Sequence, residues 1–249
     1  MEEKRFRLFT NPTGRRIFEE RPDLTMETKK RNPIIRNRIF LEKTSATSDE
    51  DLEGVQEGIN RIIAEINSRV IVMRHPDTGF IKRLDTYSVK AYDRRRKNAG
   101  NQSVEMGKLV TLLNGDISQR KDPHQDMVVL DRQLNVRGSL VYGASEYPHA
   151  ALSIKSLGQQ INGDPVLRKK ILSCVGAHEF LHFFGLTQRN FNRDGNHCAG
   201  ENGPCIMQVN KNPNEKTFEI IEREHLLCSD CRDEVAFRKE KLAEDGIVL

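Results

Sequence analysis

The feature that most constrains the fold of this chain is a His-Glu-x-x-His motif inside an apolar run. It extends from His178 to His182 in the segment 176–186. On a helix, residues four apart share one face, so the two histidines can bind one Zn²⁺ ion while Glu179 reaches a water molecule beside it. Gly185 suits a helix C-terminus. The motif therefore predicts a buried helix that carries part of a metal site. The alternative is a buried helix with two histidines by chance.

Four cysteines downstream of this motif form two close pairs, Cys198 with Cys205 and Cys228 with Cys231. Such pairs are typical of a structural Cys₄ zinc site. Two disulfides are the alternative in an oxidising compartment. No apolar signal-peptide region follows the amino terminus, which favours zinc and a cytoplasmic location. Cys174 is expected to be a small buried apolar residue.

The composition indicates a polar globular protein, with 37% hydrophobic and 31% charged residues. No apolar run approaches the roughly 20 residues of a membrane span, so no membrane partner is expected. Basic residues are concentrated in residues 1–48 and in the cluster 94–97. A nucleic-acid contact is conceivable, but a solvated surface is the preferred interpretation because no nucleic-acid motif accompanies the charge. We expect a monomer.

Hydrophobic periodicity predicts an α/β (α+β) fold. Residues 1–34 are expected to form an irregular basic arm, and residues 35–249 a single domain. A strand at 35–43, a helix at 49–68 and a strand at 70–73 predict a parallel βαβ unit. Further elements are expected at 84–92 (a short element), 102–113 (a helix), 127–130, 137–142 and 150–155 (strands), from 164 (the histidine-bearing helix) and at 213–244 (a largely helical segment). Three histidines between these elements, His75, His124 and His149, are expected to be surface residues in loops.

Taken together, these motifs resemble the archaemetzincin family of metzincin zinc proteases, over roughly residues 35–235. That family carries His-Glu-x-x-His-x-x-Gly-x-x-His-Cys, then Cys-x-Met, then Cys-x-x-Cys. The stretches 91–95, 128–131 and 140–144 also look like family segments. The residues that match the family motif in order are His178, Glu179, His182, Gly185, His197, Cys198, Cys205, Met207, Cys228 and Cys231.

The resemblance implies a zinc metallopeptidase with a metzincin-like fold. It implies a mixed twisted sheet with an antiparallel edge strand, a central active-site helix and a C-terminal subdomain from about residue 186. An extended peptide substrate would lie along the edge strand. That strand is assigned to Leu140, Val141, Tyr142 and Gly143.

The resemblance also implies two Zn²⁺ ions per chain. The catalytic ion would be held by His178, His182 and His197, with Glu179 as the general base. Met207 would be the methionine of the turn beneath that ion. The structural ion, which would brace the C-terminal part, would be held by Cys198, Cys205, Cys228 and Cys231.

One position departs from the family pattern. The family places its third histidine three residues after the glycine, where this chain has Gln188, whereas His197 comes twelve residues after Gly185. A polar insertion over 188–196 accounts for this and leaves His197 as the third ligand. In the alternative, Gln188 keeps the position and His197 points elsewhere. A chain without that ligand would be a catalytically silent, zinc-stabilised binding module that uses its basic surface.

Overall fold

The elements of the protein are known from a computed structural model. The residues that it describes are 6–10, 16–20, 38–75, 85, 103–115, 124–136, 139–146, 148–161, 164–183, 198, 204–208, 220 and 222–244. The helices α1 to α5 span Asp49–Glu65, Met106–Asn114, Ile154–Ile161, Pro165–His182 and Ser229–Glu244. The strands β1 to β10 span Phe6–Thr10, Arg16–Glu20, Arg38–Lys43, Ile71–Arg74, Ser103–Glu105, Gln125–Leu130, Gln133–Val136, Ser139–Val141, Gly143–Glu146 and His149–Ser153.

A five-stranded mixed sheet lies at the centre, in the order β4-β3-β6-β10-β9. Its first four strands are parallel, and β9 pairs antiparallel with β10 at one edge. The sequence prediction of a mixed sheet with an antiparallel edge strand is therefore confirmed. The parallel βαβ unit is confirmed too, since β3 and β4 are adjacent parallel strands joined through α1.

The sheet separates two hydrophobic cores because successive side chains of a strand point to opposite faces. On β6, Met127 and Val129 join the core that includes residues of α1 and α4. Val128 and Leu130 join the core formed with α2. Both faces of β6 are buried, as expected for a central parallel strand.

The histidine-bearing helix α4 begins where the sequence predicts. Asp164 caps it, and its carboxylate accepts hydrogen bonds from the backbone N–H groups of Val166 and Leu167 at 2.9 and 3.1 Å. Pro165 occupies the first helical position. The last turns carry the predicted metal-site residues, and Phe180 among them is fully buried. The prediction of a buried helix is confirmed for its second half, from Ile171 onward, whereas its first turns are exposed, with Val166 at 65%.

An ion pair joins α1 to the first turn of α4. Arg168 donates through two nitrogens to the carboxylate of Asp51, with Nη2 2.7 Å from Oδ2. Asp51 is only 3% exposed. Burial alone would raise the pKa of this carboxyl, but the hydrogen bonds and the charge of Arg168 outweigh it and hold the pKa below its ordinary 3.8.

Asp51→Asn is expected to lower the free energy of unfolding by about 1–2 kcal/mol at neutral pH. The effect is smaller than for a fully buried ion pair because the partly exposed Arg168 side chain is screened by water. The folded-state pKa is depressed, so the contribution of Asp51 is complete above about pH 4 and is lost as pH falls through the folded-state pKa. Urea unfolding of both proteins from neutral to acidic pH measures this difference. Glu57→Gln, which breaks the exposed Lys169–Glu57 pair between the same helices, is the control and should change little. A constant difference across that pH range would contradict the prediction.

Two elements differ from the sequence prediction. Residues 103–105 form strand β5 instead of the start of helix α2, because Val104 is buried and pairs with Leu134 in a separate three-stranded sheet. The strand predicted at 137–142, and with it the edge strand assigned to 140–143, does not lie in one sheet. Its part at Ser139–Val141 belongs to this second sheet, so Leu140 and Val141 do not lie in the antiparallel edge strand, which begins at Gly143.

The segment predicted to be an irregular arm contains the antiparallel strands β1 and β2, which form a two-stranded sheet of their own. The predicted element at 84–92 lies outside the described residues except for position 85. Within the part of the chain that the structure describes, none of the helices combines the length and apolarity of a membrane-crossing segment.

Candidate metal centre

The two histidines of the motif face one point. The Nε2 atoms of His178 and His182 are 3.1 Å apart, a separation that two imidazoles bound to one ion at about 2.0–2.1 Å can adopt. The other nitrogen of His178, Nδ1, lies 2.8 Å from the backbone carbonyl oxygen of Ile206. A carbonyl can only accept, so Nδ1 carries the proton and Nε2 keeps its lone pair for a metal.

Glu179 lies beside this pair and is only 5% exposed. The hydroxyl of Ser145 on β9 is 2.7 Å from Glu179 Oε2 and 3.1 Å from the Glu179 backbone oxygen. Gly143, on the same strand, leaves the space that the carboxylate occupies, because a Cβ atom there would lie 2.3 Å from Glu179 Oε1. The edge strand therefore holds the carboxylate in place. The sequence motif indicates Glu179 but contains nothing that identifies Ser145.

The four cysteines predicted as zinc ligands come together. The sulfur atoms of Cys198, Cys205, Cys228 and Cys231 all lie within 4.8 Å of one another, and all four residues are buried. The sulfurs of Cys198 and Cys228 are 3.7 Å apart, which is close to the edge of a tetrahedron with metal–sulfur bonds of about 2.3 Å. No disulfide joins these four residues. The donor set and its spacing fit zinc.

Without a bound cation, Cys205, Cys228 and Cys231 keep their protons, because their pKa values lie above the ordinary thiol value. The hydrogen bond that the Cys228 thiol donates to Cys205, together with burial, raises the pKa of Cys228. Burial likewise raises the pKa of Cys174, which lies outside the cluster, to about 12 and makes that thiol unreactive. A buried group of thiols becomes a group of thiolates only when a metal ion replaces the protons.

The segment 204–208 connects the two clusters. Cys205 belongs to the cysteine group, and the next residue, Ile206, supplies the carbonyl that orients His178. The backbone oxygen of Met207, which is fully buried, accepts a hydrogen bond of 2.7 Å from the N–H of Cys198. The histidine and cysteine sites are therefore neighbours that share one short loop.

The structure does not place every predicted ligand. His197 and Gln188 both lie outside the described residues, so the choice of third histidine ligand stays a prediction. Cys198, which follows His197 directly, is in the cysteine cluster. Among the residues that can be described, the groups of three or more potential ligands are the cysteine cluster and the trio of His178, Glu179 and His182.

The assignment of the other histidines to the surface was wrong, since His75, His124 and His149 are buried. His149 lies within β10, where Nδ1 is 2.8 Å from Asp126 Oδ2, and His124 Nε2 is 3.1 Å from Asp126 Oδ1. Burial would raise the pKa of Asp126, but the two histidines outweigh it and lower the pKa. Isolated histidines flanked by turn residues carry no sequence signal for such a buried network.

Comparisons with known proteins show which solved structures share this fold. No protein-family model matches this chain, and no curated protein matches it either. The chain has the fold of an archaemetzincin from Methanopyrus kandleri, whose crystal structure superposes with a TM-score of 0.55 at 18% identity, over 82% of this chain and 96% of that one. A zinc-dependent peptidase from Methanocorpusculum labreanum is also similar, with a TM-score of 0.45 at 16% identity over 79% and 99% of the two chains. The family resemblance carried by the sequence motifs is confirmed at the level of the fold.

Proposed function

We propose that this protein is a zinc-dependent metallopeptidase. The observation that carries the proposal is the geometry of the α4 terminus. His178 and His182 direct their Nε2 atoms at one point, with the carboxylate of Glu179 beside them. Two imidazoles and an adjacent carboxylate are the groups that metal-assisted peptide hydrolysis requires. The likeness of the fold to that of an archaemetzincin supports the same reaction class.

Zinc would be bound at two places. His178, His182 and His197 would hold the catalytic ion through neutral imidazoles, leaving a position for water. The second ion would be structural, held by the cysteine cluster, and would fix the loop that carries Ile206. Both donor sets suit zinc, which prefers nitrogen and sulfur ligands.

The zinc ion would supply a Lewis acid that acidifies water and polarises the scissile carbonyl. Glu179 takes the proton from the attacking water and returns it to the leaving amine. Ser145 keeps the Glu179 carboxylate in place through its 2.7 Å hydrogen bond. The carbonyl of Ile206 holds the imidazole of His178 in the tautomer that leaves Nε2 unprotonated.

A peptide substrate would extend along strand β9 and pair with its backbone. The strand is at the edge of the central sheet, and Gly143 and Ser145 on it contact Glu179. This moves the substrate strand from the predicted residues 140–143 to Gly143–Glu146. A chain that acts on extended peptides would need no membrane or nucleic-acid partner, and we expect a cytoplasmic monomer.

The zinc content of purified variants tests the two sites. We expect about two zinc ions per chain, and about one in both His178→Ala and Cys231→Ser, because each removes a ligand from a different site. Cys231→Ser should also lower the melting temperature markedly, since a structural metal contributes directly to folding. Cys174→Ser, at a buried thiol outside both sites, is the control and should keep both ions. One ion in the wild-type chain that survives His178→Ala would instead support the binding module.

The same measurement decides the third ligand. We expect His197→Ala to lose one zinc ion and Gln188→Ala to retain both. The reverse result would assign the ligand to Gln188 and contradict our choice of His197.

A further inference from the structure

Glu65, the last residue of helix α1, is a buried carboxylate with no role in the site described above. Its side chain is 6% exposed. Its two oxygens accept hydrogen bonds from consecutive backbone N–H groups, Leu226 at 2.8 Å and Leu227 at 3.1 Å. His225 Nδ1, on a half-exposed side chain, lies 3.9 Å away, too far for a hydrogen bond. A buried carboxylate that receives two N–H groups fixes the backbone it binds.

The bound segment leads directly to both metal sites. Leu227 precedes the ligand Cys228. The carbonyl of Leu226 accepts a 2.8 Å hydrogen bond from the N–H of Ile206, whose own carbonyl accepts the 2.8 Å bond from His178 Nδ1. Consecutive hydrogen bonds thus run from Glu65 through two backbone amides to the imidazole of His178.

A second contact ties the same end of α1 to the C-terminal helix. Lys239 on α5 donates 2.7 Å hydrogen bonds to the carbonyls of Ile66 and Asn67, just beyond the end of α1. A cation at a helix C-terminus satisfies carbonyls that have no partner within the helix. The end of α1 that carries Glu65 therefore contacts the chain both before Cys228 and after Cys231.

We propose that Glu65 is a positioning residue of the metal centre, which sets the orientation of His178 and the place of Cys228 and so couples the two metal sites. The proposal rests on the metal sites of the proposed function. The two oxygens of the Glu65 carboxylate can accept from both N–H groups. In Glu65→Gln one of these oxygens becomes an NH₂ group, which donates and cannot accept from the backbone N–H that it would face. Loss of one bond lets residues 226–227 shift, and Ile206 shifts with them.

The test is metal affinity measured at each site in Glu65→Gln. Cobalt(II) serves as the probe because thiolate and imidazole coordination absorb at different wavelengths, so both sites can be followed in one titration. We expect about tenfold weaker binding at the histidine site and at the cysteine site, the size of effect seen when groups that orient metal ligands are removed. Glu65→Asp, which keeps the charge but is shorter, should fall between wild type and Glu65→Gln.

Two control variants separate positioning from stability. Glu57→Gln removes an exposed carboxylate of the same helix and should bind cobalt like the wild type. Asp51→Asn destabilises the α1–α4 pair without touching residues 226–227, and should also keep both affinities. Equal weakening in Asp51→Asn and Glu65→Gln would overturn the proposal, because the effect would then be one of stability alone.

The remaining outcomes are decisive as well. Unchanged affinity at both sites in Glu65→Gln overturns the proposal, and weakening at the cysteine site alone overturns the connection to His178. A wild-type chain that binds no cobalt at its histidines overturns both this inference and the proposed function. Two bound ions without peptide turnover would count against the peptidase alone, because the affinity comparison needs no turnover.

Discussion

Glu179→Gln is expected to lower kcat/KM for peptide hydrolysis by about 10²–10⁴-fold while both zinc ions remain bound. Glutamine has nearly the shape of glutamate and can still accept the hydrogen bond from Ser145, but it cannot take a proton from water. The space beside Gly143 accommodates either side chain. The substitution therefore removes the base and leaves the histidine ligands in place.

Peptide turnover and zinc content, measured on the same preparations, test this expectation. Glu57→Gln is the matched control, because it makes the same chemical change at an exposed position of α1 and should keep full turnover. Turnover by Glu179→Gln within a few-fold of the wild type, with zinc bound, would exclude Glu179 as the general base.

Gly58→Ala is expected to have the largest effect on stability, about 3 kcal/mol or more in the free energy of unfolding. Gly58 lies where α1 crosses α4, and a Cβ atom there would be 1.9 Å from the backbone oxygen of Ser173 and 2.8 Å from its Cα. Backbone atoms of a helix cannot rotate away as a side chain can. The two helices would have to separate, and α4 would carry His178 and His182 with it.

Chemical denaturation of Gly58→Ala against Gly107→Ala checks this prediction. Gly107 lies in the first turn of α2, and a Cβ atom there would meet nothing within 4 Å. The same substitution should therefore be neutral or stabilise by up to about 1 kcal/mol, because alanine is the better helix former. Equal stability of Gly58→Ala and the wild type would contradict the close crossing of the helices.

The site could be predicted from the sequence where its residues are only a few positions apart. His178 and His182 meet because they are one helical turn apart, whatever surrounds them. Asp164, a capping residue, and the proline that follows it predict the start of the helix that carries both histidines. The two cysteine pairs predicted a cluster, since a Cys-x-x-Cys pair that forms no disulfide commonly binds a metal ion.

Prediction failed where local and long-range effects compete. The stretch 137–142 was predicted to be one strand, but its described strand residues, Ser139–Val141, pair with β7, and the strand that pairs with β10 begins only at Gly143. His149 is a polar residue in a short strand, and its burial is favourable because Asp126 on the neighbouring strand and Asn114 at the end of α2 approach its two ring nitrogens.

The sequence by itself determined the predicted metal ligands on α4, the candidate base and the parallel βαβ unit, because helical and strand periodicity depend on neighbours in the chain. Only the tertiary structure decided how these groups are held. Ser145 reaches Glu179 across 34 residues, and the Ile206 carbonyl reaches His178 across 28. Glu65 reaches Leu226 across 161. One of these contacts is made by a backbone carbonyl and another by a backbone N–H, groups that nearly every residue carries, so their partners depend on which distant segments the fold brings together.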